Sequence, residues 1–189
     1  MPTTTYTTKE TAALLRKQLR ATWPGVAFSV RMSRGTGYGW LRVTWTDGPT
    51  ETQVREITRH YQNSQFNGMT DSYDRLDDAL VATIPGELPE LVAYSCRGIN
   101  SQRDYSDNFT RATTAILAAD NPHIAAHLTT RDLDTLTYNT LHRALATIAV
   151  DQPARYQGDY LTGPHLDDLG AVIRAALHRT DATTTRATR

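Results

Sequence analysis

Between Thr7 and Asn63 the spacing of apolar residues changes twice, and each change marks a new element. Ala12, Leu15, Leu19 and Trp23 recur at helical spacing, so a helix capped by Thr8 runs to Pro24-Gly25, which ends it. From Gly25 the period drops to two. Val26, Phe28, Val30 and Met32 alternate with Ala27, Ser29, Arg31 and Ser33; Leu41, Val43 and Trp45 alternate with Trp40, Arg42, Thr44 and Thr46. The glycines of Arg34-Gly35-Thr36-Gly37-Tyr38-Gly39 supply the conformations a connecting loop needs, which predicts an antiparallel hairpin. Asp47-Gly48-Pro49 makes a turn, and Thr50 with Gln53 reads as the capping box of a second helix whose buried stripe is Val54, Ile57 and Tyr61. Two helices on one face of the hairpin would bury the Val26 and Leu41 sets.

Further along, Asn67-Gly68 signals a turn, with Phe66, Met69 and Tyr73 expected to plug that loop onto the core and Asp71 as the alternative contact for a partner. Asp77 to Val81 reads as a short helix, Pro85, Gly86 and Pro89 as an irregular connection, and Leu91 to Cys96 as a third strand pairing beside the hairpin. Past Tyr105 the pattern is helical. A helix capped by Ser106 or Asp107 would bury Phe109, Ala112, Ile116 and Leu117 until Asn121-Pro122 interrupts it. A longer helix after Thr130 would use Leu133, Leu136, Leu141, Leu145 and Ile148, and a last one after Gly163-Pro164 would use Leu166, Leu169, Ile173 and Leu177. The fold class is therefore α+β: a helix-strand-strand-helix-strand unit over residues 7–105, then a helical appendage over 106–180, with flexible tails at 1–6 and 181–189.

Composition narrows the class without naming a chemistry. At 189 residues and 39% hydrophobic the chain can bury one good core, or a domain with an appendage. No run approaches the roughly 18 apolar residues of a membrane span, and Met1 to Tyr6 lacks the form of a secretory signal; a soluble cytoplasmic protein with no membrane partner is the expectation. The single cysteine, Cys96, excludes an internal disulfide framework and a cysteine-based zinc ribbon.

The net charge of +0 hides an uneven distribution. Met1 to Thr46 holds Lys9, Arg16, Lys17, Arg20, Arg31, Arg34 and Arg42 against Glu10 alone, about +6. Asp71, Asp74, Asp77, Asp78, Glu87 and Glu90 answer it further on, with only Arg75 among them. On the hairpin face away from the helices, Arg31, Trp40 and Arg42 come together, a cationic surface with an aromatic platform that suits phosphate and base. The same residues suit burial under a third strand, and the basic face of the first helix suits plain solvation. The candidate nucleic-acid-binding set is Arg16, Lys17, Arg20, Arg31, Arg34, Tyr38, Trp40 and Arg42, with DNA or RNA as partner.

Catalytic constellations are sparse. His123 and His127 have the spacing of two imidazoles on one helix face, but Ile124 stands where a metalloprotease motif has glutamate. The glycine-rich loop joins two strands rather than a strand and a helix, which is wrong for a phosphate cradle. Asp77-Asp78 and Asp167-Asp168 are adjacent and point apart on a helix. No catalytic set, no metal site and no cofactor is predicted.

The blocks Lys9-Glu10-Thr11-Ala12, Trp23 to Arg31, Val43 to Thr50 and Phe66 to Asp71 together resemble a large polyvalent protein-associated domain, the twenty-ninth of that series. The resemblance covers roughly Thr7 to Tyr105. It implies a phage or conjugative-element context, with roles in DNA delivery, counter-defence or host takeover, and brings no catalytic residues with it. Two functions of different classes follow: a noncatalytic nucleic-acid-binding accessory protein, or an interaction factor that sequesters a host or defence protein through the hairpin or the acidic middle segment.

Overall fold

Thr7, not Thr8, starts the first helix: its hydroxyl accepts from the Glu10 N–H while the Glu10 carboxylate accepts from the Thr7 N–H at 2.8 Å. Glu10 lies three residues after Thr7, and that spacing decides the cap. These hydrogen bonds from Thr7 also hold the Glu10 carboxyl below its ordinary range. The computed structural model describes residues 3–81, 89–128, 137–140, 145–163 and 165–183. They fall into two compact units, one of Met1–Trp45 and Glu51–Arg103, the other of Thr46–Thr50 and Asp104–Arg189.

In the first unit, α1 (Thr8–Thr22) and α2 (Glu51–Thr58) share a core with the hairpin of β2 (Ser29–Met32) and β3 (Trp40–Thr46). The hairpin is antiparallel, with Val30 opposite Val43 and Arg31 opposite Arg42. Leu15 and Leu19 from α1, Leu41, Val43 and Trp45 from β3, and Val54 from α2 are all buried together. Alternation along β3 sends these three residues to the helices and Trp40, Arg42 and Thr44 to the other face.

The third strand beside the hairpin is β8 (Gly98–Asp104), giving the order β2-β3-β8. The sequence places Leu91 to Cys96 there, and that placement is corrected: β7 (Glu90–Tyr94) belongs to a separate sheet, parallel to β1 (Thr3–Tyr6) and antiparallel to β6 (Ala79–Val81). Thr3–Tyr6, read above as tail, is thus a strand, and so is Ala79–Val81, read above as the end of a short helix. The first pairs across a long sequence separation, the second with a strand that starts nine residues further on, and no local period announces either. Pro85 and Gly86 lie outside the described residues.

The Asn67-Gly68 turn closes a small hairpin of β4 (Ser64–Asn67) and β5 (Ser72–Arg75), with Phe66 opposite Tyr73. Its base is held by three bonds. The Asn63 N–H donates to the Cys96 carbonyl at 2.8 Å, the Leu76 N–H to the Asn63 carbonyl at 2.7 Å, and the Ser64 hydroxyl to the Arg97 carbonyl at 2.5 Å.

In the second unit Ser106 caps α3 (Asp107–Asp120), and Asn121-Pro122 does end it, before the short α4 (Pro122–Ala125). Of the expected stripe Leu117 is buried and Phe109 and Ile116 pack against the core, but threonines take the rest of the inward side. Thr110, Thr113, Thr114 and Leu117 face inward and Ala112 is exposed. Thr114 satisfies its hydroxyl on the Thr110 carbonyl at 2.8 Å, which lets a polar type sit in the core. Leu145 is buried but stands in a turn, as does Ile148, so the predicted long helix does not reach them; its positions Leu133, Leu136 and Leu141 lie outside the described residues. The last helix, α5 (Leu169–Arg179), starts five residues after Pro164 because Asp168 caps it, accepting from the Ala171 N–H at 2.7 Å; Leu166 packs on the core from outside the helix. A two-residue-stranded hairpin, β9 (Arg155–Tyr156) and β10 (Asp159–Tyr160), is tied to the end of α3 through Asn121. The loop Thr46–Thr50 belongs to this unit: the Asp47 carboxylate accepts from the Ser106 N–H and hydroxyl at 2.8 and 2.7 Å, and the Gly48 carbonyl accepts from the Ala182 N–H at 2.9 Å.

Candidate binding surface

Both helices of the first unit share a core with one side of the β2–β3 hairpin; on the other side Arg42 is exposed, while Trp40 is partly covered by the β4–β5 hairpin. Arg31 and Arg42 stand directly opposite each other on that other side, and both are exposed. Neither has a carboxylate within 4.0 Å among the described residues. Like charges directly opposite on neighbouring strands repel, so this pair weakens the hairpin that carries it. Asn100, Gln102 and the acid Asp104 extend the exposed polar face onto β8.

Trp40 lies at the other end of the face. Its ring rests on Gly98, where an added Cβ would fall 2.3 Å from a ring carbon. Only glycine leaves room for the indole there. The Trp40 ring meets the edge of Tyr73 at a centroid distance of 5.6 Å, and Tyr73 meets Phe66 at 5.3 Å. Phe66 and Tyr73 each remain 51% exposed, and Met69 at the hairpin tip is 97% exposed. The expectation that these three plug a loop onto the core is therefore corrected: Tyr73 leans on Trp40, Phe66 on Tyr73, and Met69 faces solvent.

Strand alternation also sorts the charges of the small hairpin. Phe66 and Tyr73 share a side with Ser64 and Arg75, while Gln65, Asn67 and Asp74 take the other, where the Asn67 amide donates to the Asp74 carboxylate at 2.7 Å. The aromatic side thus carries Arg75, 3.9 Å from the Asp78 carboxylate, and the opposite side Asp74.

The remaining candidate cations sit elsewhere. Arg16 reaches from α1 to the Val30 carbonyl at 2.5 Å, where it covers the free edge of β2. A charged side chain on an edge strand blocks further pairing, so Arg16 has a structural use. Lys17 and Arg20 are exposed on α1, in the helical layer and not on the sheet face of Arg31 and Arg42. Arg34 and Tyr38 flank the short turn Gly35–Gly37 between the strands, both exposed, Tyr38 at 73%. The Arg97 stem lies along Gly39 at the loop end of β3, where φ of +86° favours glycine. Sequence reasoning missed Arg97, Arg75, Phe66 and Tyr73 as surface neighbours. The turn at Asn67-Gly68, read together with the alternation on either side of it, would have put the last three on one face.

Chemistry of other kinds finds little purchase. A cleft of about 180 Å³ is lined by His60, Asn63, Asp77, Asp78 and Tyr94 among others. Burial pushes the Tyr94 and Tyr61 phenols up, Tyr94 further through its phenol neighbours Tyr61 and Tyr6. His127 lies past the end of α4, so it does not share a helix with His123. No three metal-ligating side chains come together among the described residues. Cys96 is fully buried, and burial raises its thiol to about 11 against the smaller opposing pull of backbone hydrogen bonds at Gly98 and Leu41. At pH 8 the thiolate is therefore scarce and sheltered. A thiol reagent such as Ellman's should leave the native protein unmodified over hours and titrate one thiol once denaturant is added; rapid reaction in buffer would contradict this burial.

Fold and surface together describe an α+β protein with one exposed basic and aromatic sheet face. The family model for large polyvalent protein associated domain 29 matches residues 6–106, more than half of the chain, and the chain belongs to that family. No curated protein and no solved structure matches it. Among the described residues no helix is long and apolar enough to cross a membrane.

Proposed function

We propose that this chain is a noncatalytic accessory protein of a phage or mobile element that binds nucleic acid through the face of the β2-β3-β8 sheet that carries Arg31 and Arg42. The observation that carries the reading is the Arg31–Arg42 pair: two exposed guanidinium groups held side by side at a cost to the hairpin, with no described carboxylate to neutralise them. Folding alone gives no reason to keep that repulsion; a row of phosphates does. Guanidinium groups bind phosphate oxygens in a fixed fork, and each phosphate they neutralise releases counterions. Asn100 adds a donor to the same face. Lys17 and Arg20, on the helical layer, are left to steer the approach of a polyanion rather than to touch it.

The test is a salt titration of binding to labelled oligonucleotides. The logarithm of the association constant should fall linearly with the logarithm of salt concentration, with a slope corresponding to about two to four phosphate contacts. A response that stays flat between low and physiological salt, or no binding at low salt, would overturn the reading. A second reading, capture of a host or defence protein, is favoured by the exposed Met69 and Phe66 on the small hairpin. It requires a stoichiometric partner whose capture survives nuclease treatment.

A further inference from the structure

We infer that the strand this surface takes is single, with unpaired bases, and that the small β4–β5 hairpin is the arm on which those bases stack. This rests on the nucleic-acid reading above and adds the form of the ligand to it. Cations recognise phosphates in any strand; exposed rings recognise only bases whose faces are free. The structure supplies a connected series of such rings beside the Arg31–Arg42 pair. Trp40 shares the strand and the face of Arg42, Tyr73 meets Trp40 edge-on, and Phe66 follows Tyr73, with successive centroid distances of 5.6 and 5.3 Å.

The exposure of these rings is what singles them out. Trp40 is half-buried, as a ring fixed on Gly98 must be, but Phe66 and Tyr73 leave about half their surface in water on a hairpin of only four residues per strand. Their exposure has no packing reason. The hairpin is anchored at its base by the bonds to Cys96 and Arg97 and carries no buried residue, so its rings keep their position while their outer surfaces stay open. Charge agrees with this occupant. Arg75, exposed and 3.9 Å from the Asp78 carboxylate, shares the aromatic side, whereas Asp74 is turned away and held by Asn67. A strand laid along the face would meet the Arg31–Arg42 guanidinium groups and then the rings, with Asp74 behind the hairpin and Asp78 against Arg75. A duplex hides its base faces and would use only the cations.

The experiment uses the full chain and four probes of about 20 residues: an oligothymidine, its oligouridine counterpart, a mixed-sequence duplex and an abasic oligodeoxyribose phosphate. Wild type should bind the two unpaired strands at least about tenfold more tightly than the duplex or the abasic chain. Phe66→Ala should weaken binding to the unpaired strands about tenfold while leaving duplex and abasic binding within about twofold and the salt slope unchanged. Tyr73→Leu keeps apolar bulk against Trp40 and removes the ring, so it guards against simple unfolding; near-ultraviolet circular dichroism verifies the fold of each variant. The oligouridine arm tells RNA from DNA. Wild type that binds duplex as well as single strands, with both ring variants unchanged, overturns this inference and leaves the nucleic-acid reading standing. Wild type that binds none of the four overturns both.

Discussion

Arg31→Glu is expected to weaken nucleic-acid binding on the order of a hundredfold while making the protein more stable. The binding loss follows from removing one charge-assisted contact of about 1.5–3 kcal/mol and putting a repelling charge among the phosphates. The change of two charges should also lower the salt slope by between about 1 and 2. The stability gain follows from the register, since a carboxylate at position 31 stands opposite Arg42 and replaces a like-charge pair with an opposite one. Such cross-strand pairs are worth about 0.2–1 kcal/mol, and both positions are exposed, so the lower half of that range applies. Chemical denaturation and an oligonucleotide titration on the same sample make the check. Opposite movement of stability and affinity is the signature of a functional surface, because a merely damaged protein loses both. A variant that binds as wild type does would remove the Arg31–Arg42 face from consideration.

Gly98→Ala should destabilise the first unit by about 1–3 kcal/mol, against the ordinary trend for that substitution. Replacing glycine by alanine where the backbone allows it usually adds about 0.4–1 kcal/mol by restricting the unfolded chain. Here the new methyl would lie 2.3 Å from one carbon of the Trp40 ring and 2.7 and 2.8 Å from two others, so the indole must leave its seat. Its contact with Tyr73 goes with it, and tryptophan emission should move to the red as the ring enters water. In a Trp40→Leu background the obstruction is gone, and Gly98→Ala should become neutral or mildly stabilising. Equal losses in the two backgrounds would place the cause in the β8 backbone instead of under the ring.

The elements that could be read from the chain are those whose partners are near in sequence. The β2–β3 hairpin announces itself because Val26, Phe28, Val30 and Met32, and then Leu41, Val43 and Trp45, repeat every second residue on either side of a glycine-rich loop, and α1 because Leu15 and Leu19 return every fourth. Thr3–Tyr6 has no such signal; three threonines and a tyrosine become a strand only because β7 runs alongside them, almost ninety positions away. The pairing of Leu91 to Cys96 failed for the same reason, since an apolar run states that it is buried but not beside what. In α3 the inward side is written in threonines, which a hydrophobic pattern passes over. For the surface, the juxtaposition of Arg31 with Arg42 follows from alternation plus the hairpin, and both were legible. That Lys17 and Arg20 lie in a different layer follows only once both helices are known to pack on the same side of the hairpin. Apolar residues near a turn usually plug it, which is the reading the sequence suggests for Phe66 and Tyr73; what sets them apart is the Tyr73 contact with Trp40, which no spacing encodes.

The bonds around Asp47 and Gly48 bear on how this protein can be taken apart. An excised fragment ending at residue 106, where the family match ends, would keep the loop Thr46–Thr50 but lose Ala182, whose N–H reaches the Gly48 carbonyl, and would leave Ser106 as a frayed terminus instead of the start of a helix. The seam between the matched module and the rest of the chain is stitched through a loop in the middle of that module, so truncation there unpicks part of what it aims to isolate.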